Sequence, residues 1–584
     1  MISLRHRSFT VLLSCLVTLL MVQTMTAASE TRIREPRHFV LELDDNRGIK
    51  CVPMKAEEAE ARFGLQDRRA RIPGPRSVVR YATQYSEFEV SYVGFSNEAK
   101  AAFEKAVEIW AQNISSPITI RIEAVWTSEG FNENTLGHAG ANSLFLLPHP
   151  NPAFGNAWFP DALADKISGF DRDRNGPDIV AEFNSAFSDW YFGLDQLPPF
   201  EKYDFVSVVL HEITHGLGFS TSMKIENGIG SWGGLISGPG SSTPKAFDLY
   251  LSDSDFNEYL MEKYPNNSPQ LGDVLQGNDI FMDGPESTRA NRGRPVRMYA
   301  PTEFTRGSSV SHLDEFLFPE NDTDSLMTPT LFNGEVQHDP GPIVRAIFRE
   351  MGWDTIETLH FAQFAAGGGW TSDIVVQSLS TAVLKGNVQI YDAAGSWVDP
   401  STVFPGLDSD GDFQLMPRGS RTFSSSGTGN AVFGTVTVTT DQRATGVVRF
   451  TFPGTGVAGV NASPVAQNVT VPVRKVGNLT SGIAVRNLQD VQITLELTLL
   501  GEGGNPVHPG LGKVTEQIGP SAQLSRFISG SGGFFEDYFA LNPGDFKGSL
   551  VIRALSGKIA AVGVEFESGA KITTLPVTPI VLTE

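Results

Sequence analysis

The sequence predicts an α+β domain over residues 81–357, followed by two all-β sandwich modules over 358–464 and 465–584. Three observations carry this reading. Residues 85–130 read as strand, helix, strand; residues 204–218 read as a second, strongly apolar helix; and from 358 onward the texture changes to short Val/Ile/Thr runs between Gly, Ser and Asn turns. At 584 residues the chain exceeds one typical domain several-fold, so more than one core is expected. A formal charge of −21 argues against nucleic-acid binding.

The first element is an export signal over residues 1–28: Arg5, His6 and Arg7, an apolar run from Phe9 to Val22, then the small residues Thr26, Ala27 and Ala28. Leu12-Leu13-Ser14-Cys15 lies within the apolar run, where a lipidation site does not belong. No later stretch approaches the roughly 18 apolar residues needed to cross a bilayer, so no membrane span is expected. Removing the signal leaves Cys51 without a partner for an intramolecular disulfide. The expectation is a secreted, bacterial protein, with a periplasmic location as the alternative. In the strand–helix–strand unit, Phe88 to Phe95 and Ile118 to Val125 are the strands. Between them Asn97 to Gln112 is a helix with a stripe of Ala101, Ala102, Phe103, Ala106, Val107 and Trp110. Further strands are expected at Ala141 to Leu147 and Asp178 to Asn184, one of them an edge able to pair with an extended peptide.

The helix capped by Asp204 contains His211-Glu212-Ile213-Thr214-His215 and ends near Gly216 or Gly218. Four residues advance a helix by about one turn, so His211 and His215 share a face and can converge on one ion. A catalytic zinc site uses three protein ligands and leaves a position for water. Glu212, beside the first ligand, can take that water's proton without occupying the metal. A chance H-E-x-x-H is expected only about 0.01 times in a chain of this length, which favours zinc-dependent peptide hydrolysis over an ordinary amphipathic helix.

The third ligand is not local. Gly218 continues the pattern H-E-x-x-H-x-x-G-x-x-H, but Thr221 stands where the last histidine should be. Downstream histidines are His312, His338, His360 and His508. His312 is followed fifteen residues later by Met327 in Ser325-Leu-Met-Thr-Pro329. A histidine followed by such a Met-turn resembles the metzincin zinc peptidases, and the long gap after His215 resembles the leishmanolysin-like members. The resemblance covers residues 85–355 and rests on three short motifs. It implies a zincin fold, Zn2+ on His211, His215 and His312, Glu212 as general base, Met327 beneath the metal, and a protein or peptide substrate. Residues 222–308 become an insertion forming one cleft wall, and Gly341 to Trp353 the closing helix, with Pro342 in its first turn and Gly352 as its cap. His338 and Asp314 are the alternative third ligands, a glutamate ligand as in gluzincins would be another, and Tyr299 is a candidate to assist at the oxyanion.

Residues 29–80 read as a removable pro-segment whose end, Asp67 to Arg76, is an exposed linker, and the Cys51 thiolate is a candidate to occupy the metal in the zymogen. Asp171, Asp173, Asn175 and Glu182 match the ligand positions of a calcium loop, although strand rather than helix follows them; Asp408 to Asp412 is a weaker match. In the C-terminal half, Thr371 to Leu379 and Thr480 to Leu488 repeat at an offset of 109 residues, which sets the two-module division. These modules carry no catalytic constellation and are expected to bind a surface or matrix ligand, or to act as a stabilising appendage. Leu575-Pro-Val-Thr-Pro579 lacks the glycine and apolar tail of a wall-sorting signal and reads as the last strand and its end. Two rival functions remain at this point: a non-catalytic adhesion protein on a zincin scaffold, and a zinc amidase acting on cell-wall peptides.

Overall fold

The computed structural model describes residues 32–580 apart from 35–38, 44–47, 54–75, 83–84, 132–134, 175, 236–241, 321, 381–382, 452–455, 490 and 568–570. The export signal 1–28, Asn175 and most of the 67–76 linker therefore lie outside the described residues. The chain is mixed α/β, with many strands and few helices. Among the described residues no helix is long and apolar enough to cross a membrane.

The N-terminal strands are β1 (Arg32–Arg34), β2 (Phe39–Leu43), β3 (Gly48–Pro53), β4 (Arg76–Ala82) and β5 (Glu87–Val93). Next comes helix α1 (Asn97–Ala111), opened by Ser96, whose side chain accepts from the backbone N–H of Ala99. This cap satisfies a donor that the helix leaves orphaned. Ala102, Phe103, Ala106, Val107 and Trp110 are buried on its inner face, while Ala101 is only partly so. Strand β6 (Ile120–Thr127) then runs parallel to β5, with α1 as the crossover. This is the expected strand–helix–strand unit.

The following elements are β7 (Thr135–Ala141), β8 (Ser143–Pro148), β9 (Asn156–Pro160), α2 (Asp161–Ser168), β10 (Ile179–Asn184), α3 (Phe205–Gly216), β11 (Thr330–Phe332) and α4 (Gly341–Met351). One eight-stranded sheet has the order β11-β3-β2-β7-β10-β6-β5-β4; a small second sheet is β1-β8-β9. Both strands expected near 141–147 and 178–184 form, as β8 and β10, but each is paired on both sides and neither is an edge; α3 also lies against a strand that the sequence did not signal. That strand is β7, antiparallel to β10 and to β2. Its residues Thr-Leu-Gly-His-Ala-Gly-Ala are all buried and, apart from Thr135, lack the β-branched and large aromatic side chains that signal strands. Small residues are required there: a Cβ on Gly137 would lie 2.6 Å from the Phe183 ring and 2.7 Å from the Glu182 carbonyl.

Two indole hydrogen bonds join the helices around α3. Trp110 Nε1 on α1 donates to the Leu210 carbonyl (3.3 Å), and Trp353 Nε1, just past α4, donates to the Leu217 carbonyl (3.0 Å). Trp110 also stacks on Phe348 of α4 at 5.1 Å between ring centroids. Gly352 ends α4 in the left-handed conformation, at φ 112°, as its position after the last turn predicts.

The insertion 222–308 holds short strands and helices gathered around a buried carboxylate. Asp248 accepts from the Thr221 and Ser222 hydroxyls and from the backbone N–H groups of Ser222 and Lys245. At its far end Glu350 of α4 accepts from the N–H groups of Glu286 and Ser287.

Residues 357–461 form two facing sheets around Phe361, Ile374, Val388, Val436 and Val448. Residues 468–579 form one nine-stranded sheet whose inward residues, among them Val471, Ile483, Leu497 and Ile552, share a separate core. The repeated segments fall on strands Thr371–Ser378 and Leu479–Asn487, each paired on both sides. Ala484, Ala560 and Val562 reach into the core of the preceding module, so the two are packed together. Tyr85 and Thr439, whose hydroxyls are 3.0 Å apart, and an Arg443–Glu286 ion pair at 3.5 Å connect these modules to the α+β domain.

Asp204 caps α3 by accepting from the Ser207 N–H (2.8 Å), and the same oxygen meets His338 Nε2 at 2.7 Å. Asp204→Ala is expected to lower the stability of the α+β domain by about 1–2 kcal/mol. Urea unfolding followed by tryptophan fluorescence checks this, and an unchanged midpoint would show that the cap is dispensable.

Candidate metal centre

The helix α3 places His211 and His215 one turn apart, as the spacing predicts, and a loop 97 residues later brings His312 against them. The three Nε2 atoms form a near-equilateral triangle: 3.1 Å from His211 to His215, 3.3 Å from His215 to His312, and 3.3 Å from His312 to His211. Nitrogens about 2.05 Å from one zinc at tetrahedral angles would be about 3.3 Å apart.

The opposite ring nitrogens explain why these edges face one another. Nδ1 of His211 lies 2.7 Å from the Leu326 carbonyl, Nδ1 of His215 lies 2.6 Å from that of Phe219, and Nδ1 of His312 lies 2.8 Å from that of Ser308. A carbonyl only accepts, so each Nδ1 must carry the proton, and in the neutral ring each Nε2 is then a bare lone pair. Burial favours the neutral ring, lowering His211 to about 4, His312 to about 3 and His215 well below its ordinary value. Three lone pairs pointed at one another repel unless a cation lies between them. The donor set of three neutral imidazoles fits zinc.

Leu326 belongs to the turn Ser325–Met327, and Met327 is completely buried. The Met327 carbonyl accepts from the N–H of Leu313, the residue after His312, at 2.7 Å. One turn thus orients His211 through the Leu326 carbonyl and anchors the His312 loop through the next carbonyl. Tyr299 is held at the same loop, its N–H donating to the His312 carbonyl at 2.8 Å.

Glu212 is fully buried on the same helix. Its Oε2 accepts from the Ala139 N–H of β7 at 2.5 Å, and its Oε1 has no hydrogen-bond partner. Burial pushes its carboxyl up to about 8. The alternative ligands lie elsewhere: His338 is bound to Asp204 at the opposite end of α3, and Asp314 accepts from the Leu317 N–H and faces Arg297 at 3.7 Å.

Of the calcium-loop pattern, Asp171 and Asp173 lie beside one another. Asp171 pairs with Arg121 at 2.8 Å, Asp173 with Arg32 at 3.0 Å, and Glu182 points to His138 at 3.9 Å, while Asn175 lies outside the described residues. In the weaker match, Asp408 accepts from the Asp412 N–H in a local turn. A different acidic group forms close by, from Asp161, Asp165 and Asp178, with ligand oxygens within 4.8 Å of one another. Burial and mutual repulsion raise Asp161 to about 9 and Asp165 to about 7, and hold Asp178 well above the ordinary range. Sequence reading missed this group because its members span two elements. The one local signal was the four-residue spacing of Asp161 and Asp165 on a helix.

Cys51 sits on β3 opposite Leu41 of β2, and its side chain lies outside the described residues.

The family model described as SPBPB7E8-like matches residues 164–230, a segment that includes His211, Glu212 and His215 but not His312. No curated protein and no solved structure matches the chain significantly.

Proposed function

We propose that the chain is a secreted zinc-dependent endopeptidase with a metzincin-like zincin domain, in which His211, His215 and His312 hold the metal. The observation that carries this reading is the triangle of three Nε2 atoms at 3.1–3.3 Å, each with its Nδ1 committed to a carbonyl. Zinc, when bound, supplies the Lewis acidity that makes water nucleophilic at neutral pH and polarises a peptide carbonyl.

Glu212 does the proton work. Its Oε2 is pinned to the Ala139 N–H, which fixes the carboxylate plane. Its Oε1, with no partner in the protein, takes the proton from the attacking water and hands it to the amide nitrogen as the C–N bond breaks. Fixing one oxygen and leaving the other available is what a shuttle requires. Pinning Glu212 to β7 also places the carboxylate directly beside a sheet strand. An extended peptide that paired with β7 would lie along the same strand.

That pairing position is filled by β2, antiparallel to β7 with a register shift between Leu41 and Glu42. Residues 39–43 belong to the pro-segment proposed over 29–80, so the precursor would keep its own strand where substrate should add. In this proposal removal of 29–80 opens the cleft, and Cys51 is a second, separable means of inhibition.

The wild-type protein is expected to carry one zinc per chain and to cleave casein in a chelator-sensitive way. His312→Ala should lose both zinc and cleavage; retained zinc and activity would refute the three-histidine reading. Glu212→Gln should keep zinc and lose roughly 10²–10⁴-fold in kcat/KM. Zinc without cleavage in the processed wild type would favour an adhesion role. Limited cleavage of the folded precursor within 67–76, followed by separation of the N-terminal piece, should raise kcat/KM at least about tenfold. Equal activity before and after would refute the pro-segment, and no gain from Cys51→Ser in the precursor would refute the thiolate switch alone.

A further inference from the structure

We infer that Asp161, Asp165 and Asp178 form a structural calcium site that pins the floor beneath the helix α3. Asp161 and Asp165 project from successive turns of α2, and Asp178 immediately precedes β10. The three residues are at most 2% exposed, and their ligand oxygens lie within 4.8 Å of one another.

The acidic cluster is not the whole case. The Asp161 side chain is completely buried, and neither of its carboxylate oxygens has a hydrogen-bond partner. Asp165 keeps a second buried oxygen, Oδ2, in the same condition. The other oxygens of the group are already oriented by backbone: Asp165 Oδ1 accepts from the Arg172 N–H (2.9 Å) and Asp178 Oδ2 from the Arg121 N–H (2.6 Å). Two of the carboxylates are thus held by backbone, while three buried oxygens of the group, both of Asp161 and Oδ2 of Asp165, have no hydrogen-bond partner. A buried charge without a partner is among the costliest arrangements in a protein.

Nearby cations offset the charge of the group only in part. Arg32 donates to Asp173 at 3.0 Å and comes no closer than 4.0 Å to Asp161. Arg121 is engaged with Asp171, and the Arg172 guanidinium lies over the rings of Phe145 and Phe170. A divalent ion would neutralise the centre. All-carboxylate oxygen donors suit a hard cation, and a buried, protein-lined cage suits calcium better than magnesium, which gives up its waters reluctantly.

The position gives the ion a task. Pro160, one residue before Asp161, packs under Gly218, where a Cβ would lie 2.9 Å from the proline ring. Ile179, one residue after Asp178, packs under Gly216, where a Cβ would lie 2.7 Å away. The neighbours of two proposed ligands therefore support the last turn of α3, directly after His215. Releasing the ion would loosen that support without touching the three histidines.

The test uses the full chain, depleted of calcium on a chelating resin and then restored with zinc. Adding 1 mM CaCl2 should raise the Tm of the α+β domain by about 5 °C or more, with a much smaller response to MgCl2. Metal analysis should find one calcium per chain that resists dialysis. Asp161→Asn should abolish the calcium-dependent shift while retaining zinc. Asp165→Asn serves as the second variant should the first fail to fold. An equal response to magnesium would overturn the choice of ion, and a response preserved in the variants would place calcium elsewhere. No response to calcium, with a Tm that climbs as pH falls, would mean that protons neutralise the cluster and would overturn the site.

Discussion

Everything in the α+β domain is arranged around three imidazole lone pairs turned toward a single point. Left alone they would repel, and any ring free to rotate would turn away. None is free, because each is held from behind by a main-chain carbonyl, of Leu326, Phe219 or Ser308. The restraint comes from backbone, and backbone is positioned by the whole fold. Moving any of the three carbonyls by an ångström would tilt a ring out of the triangle. The indoles of Trp110 and Trp353, the Asp248 hub and the left-handed Gly352 can all be understood as devices that fix where those carbonyls stand.

The sheet contributes the side of the site that holds Glu212. Strand β7 has no conventional strand character, yet it lies between β10 and β2 and offers the Ala139 N–H to Glu212. Its Gly137 leaves room for the neighbouring strand β10, where the Phe183 ring and the Glu182 carbonyl stand closest. The same compactness appears where Gly216 and Gly218 receive Ile179 and Pro160. Close approach between helix and sheet demands small residues on one side, and here Gly216 and Gly218 supply them from the helix end.

Much of this was legible in the sequence wherever one short segment contains its own cause. The spacing of His211 and His215, the Asp204 cap, the stripe on α1 and the Pro342/Gly352 bracket of α4 each follow from local periodicity or cap chemistry. His312 required comparison with a known motif order, since nothing local distinguishes it from His338. What could not be read is non-local. β7 is a strand because its neighbours pair with it, not because of its own side chains. The aspartate group joins α2 to the start of β10, whereas the calcium-like loop pattern drew attention to residues that the fold pairs with arginines. The strand-rich character of the C-terminal half was readable from texture, but not that residues 468–579 would form one continuous sheet packed against residues 357–461.

The 97-residue separation of His215 from His312 has a further consequence in time. At ordinary rates of synthesis, about 5–20 residues per second, the second ligand precedes the third by roughly 5–20 s. Throughout that interval the nascent chain holds only two of the three imidazoles, on a helix with no Met327 turn to steady them. A two-histidine site would hold metal poorly, so under the proposed function the centre cannot mature until the insertion has folded and the polypeptide has returned to α3. On that reading the insertion is also a delay line, tying the onset of chemistry to completion of the domain that must contain it.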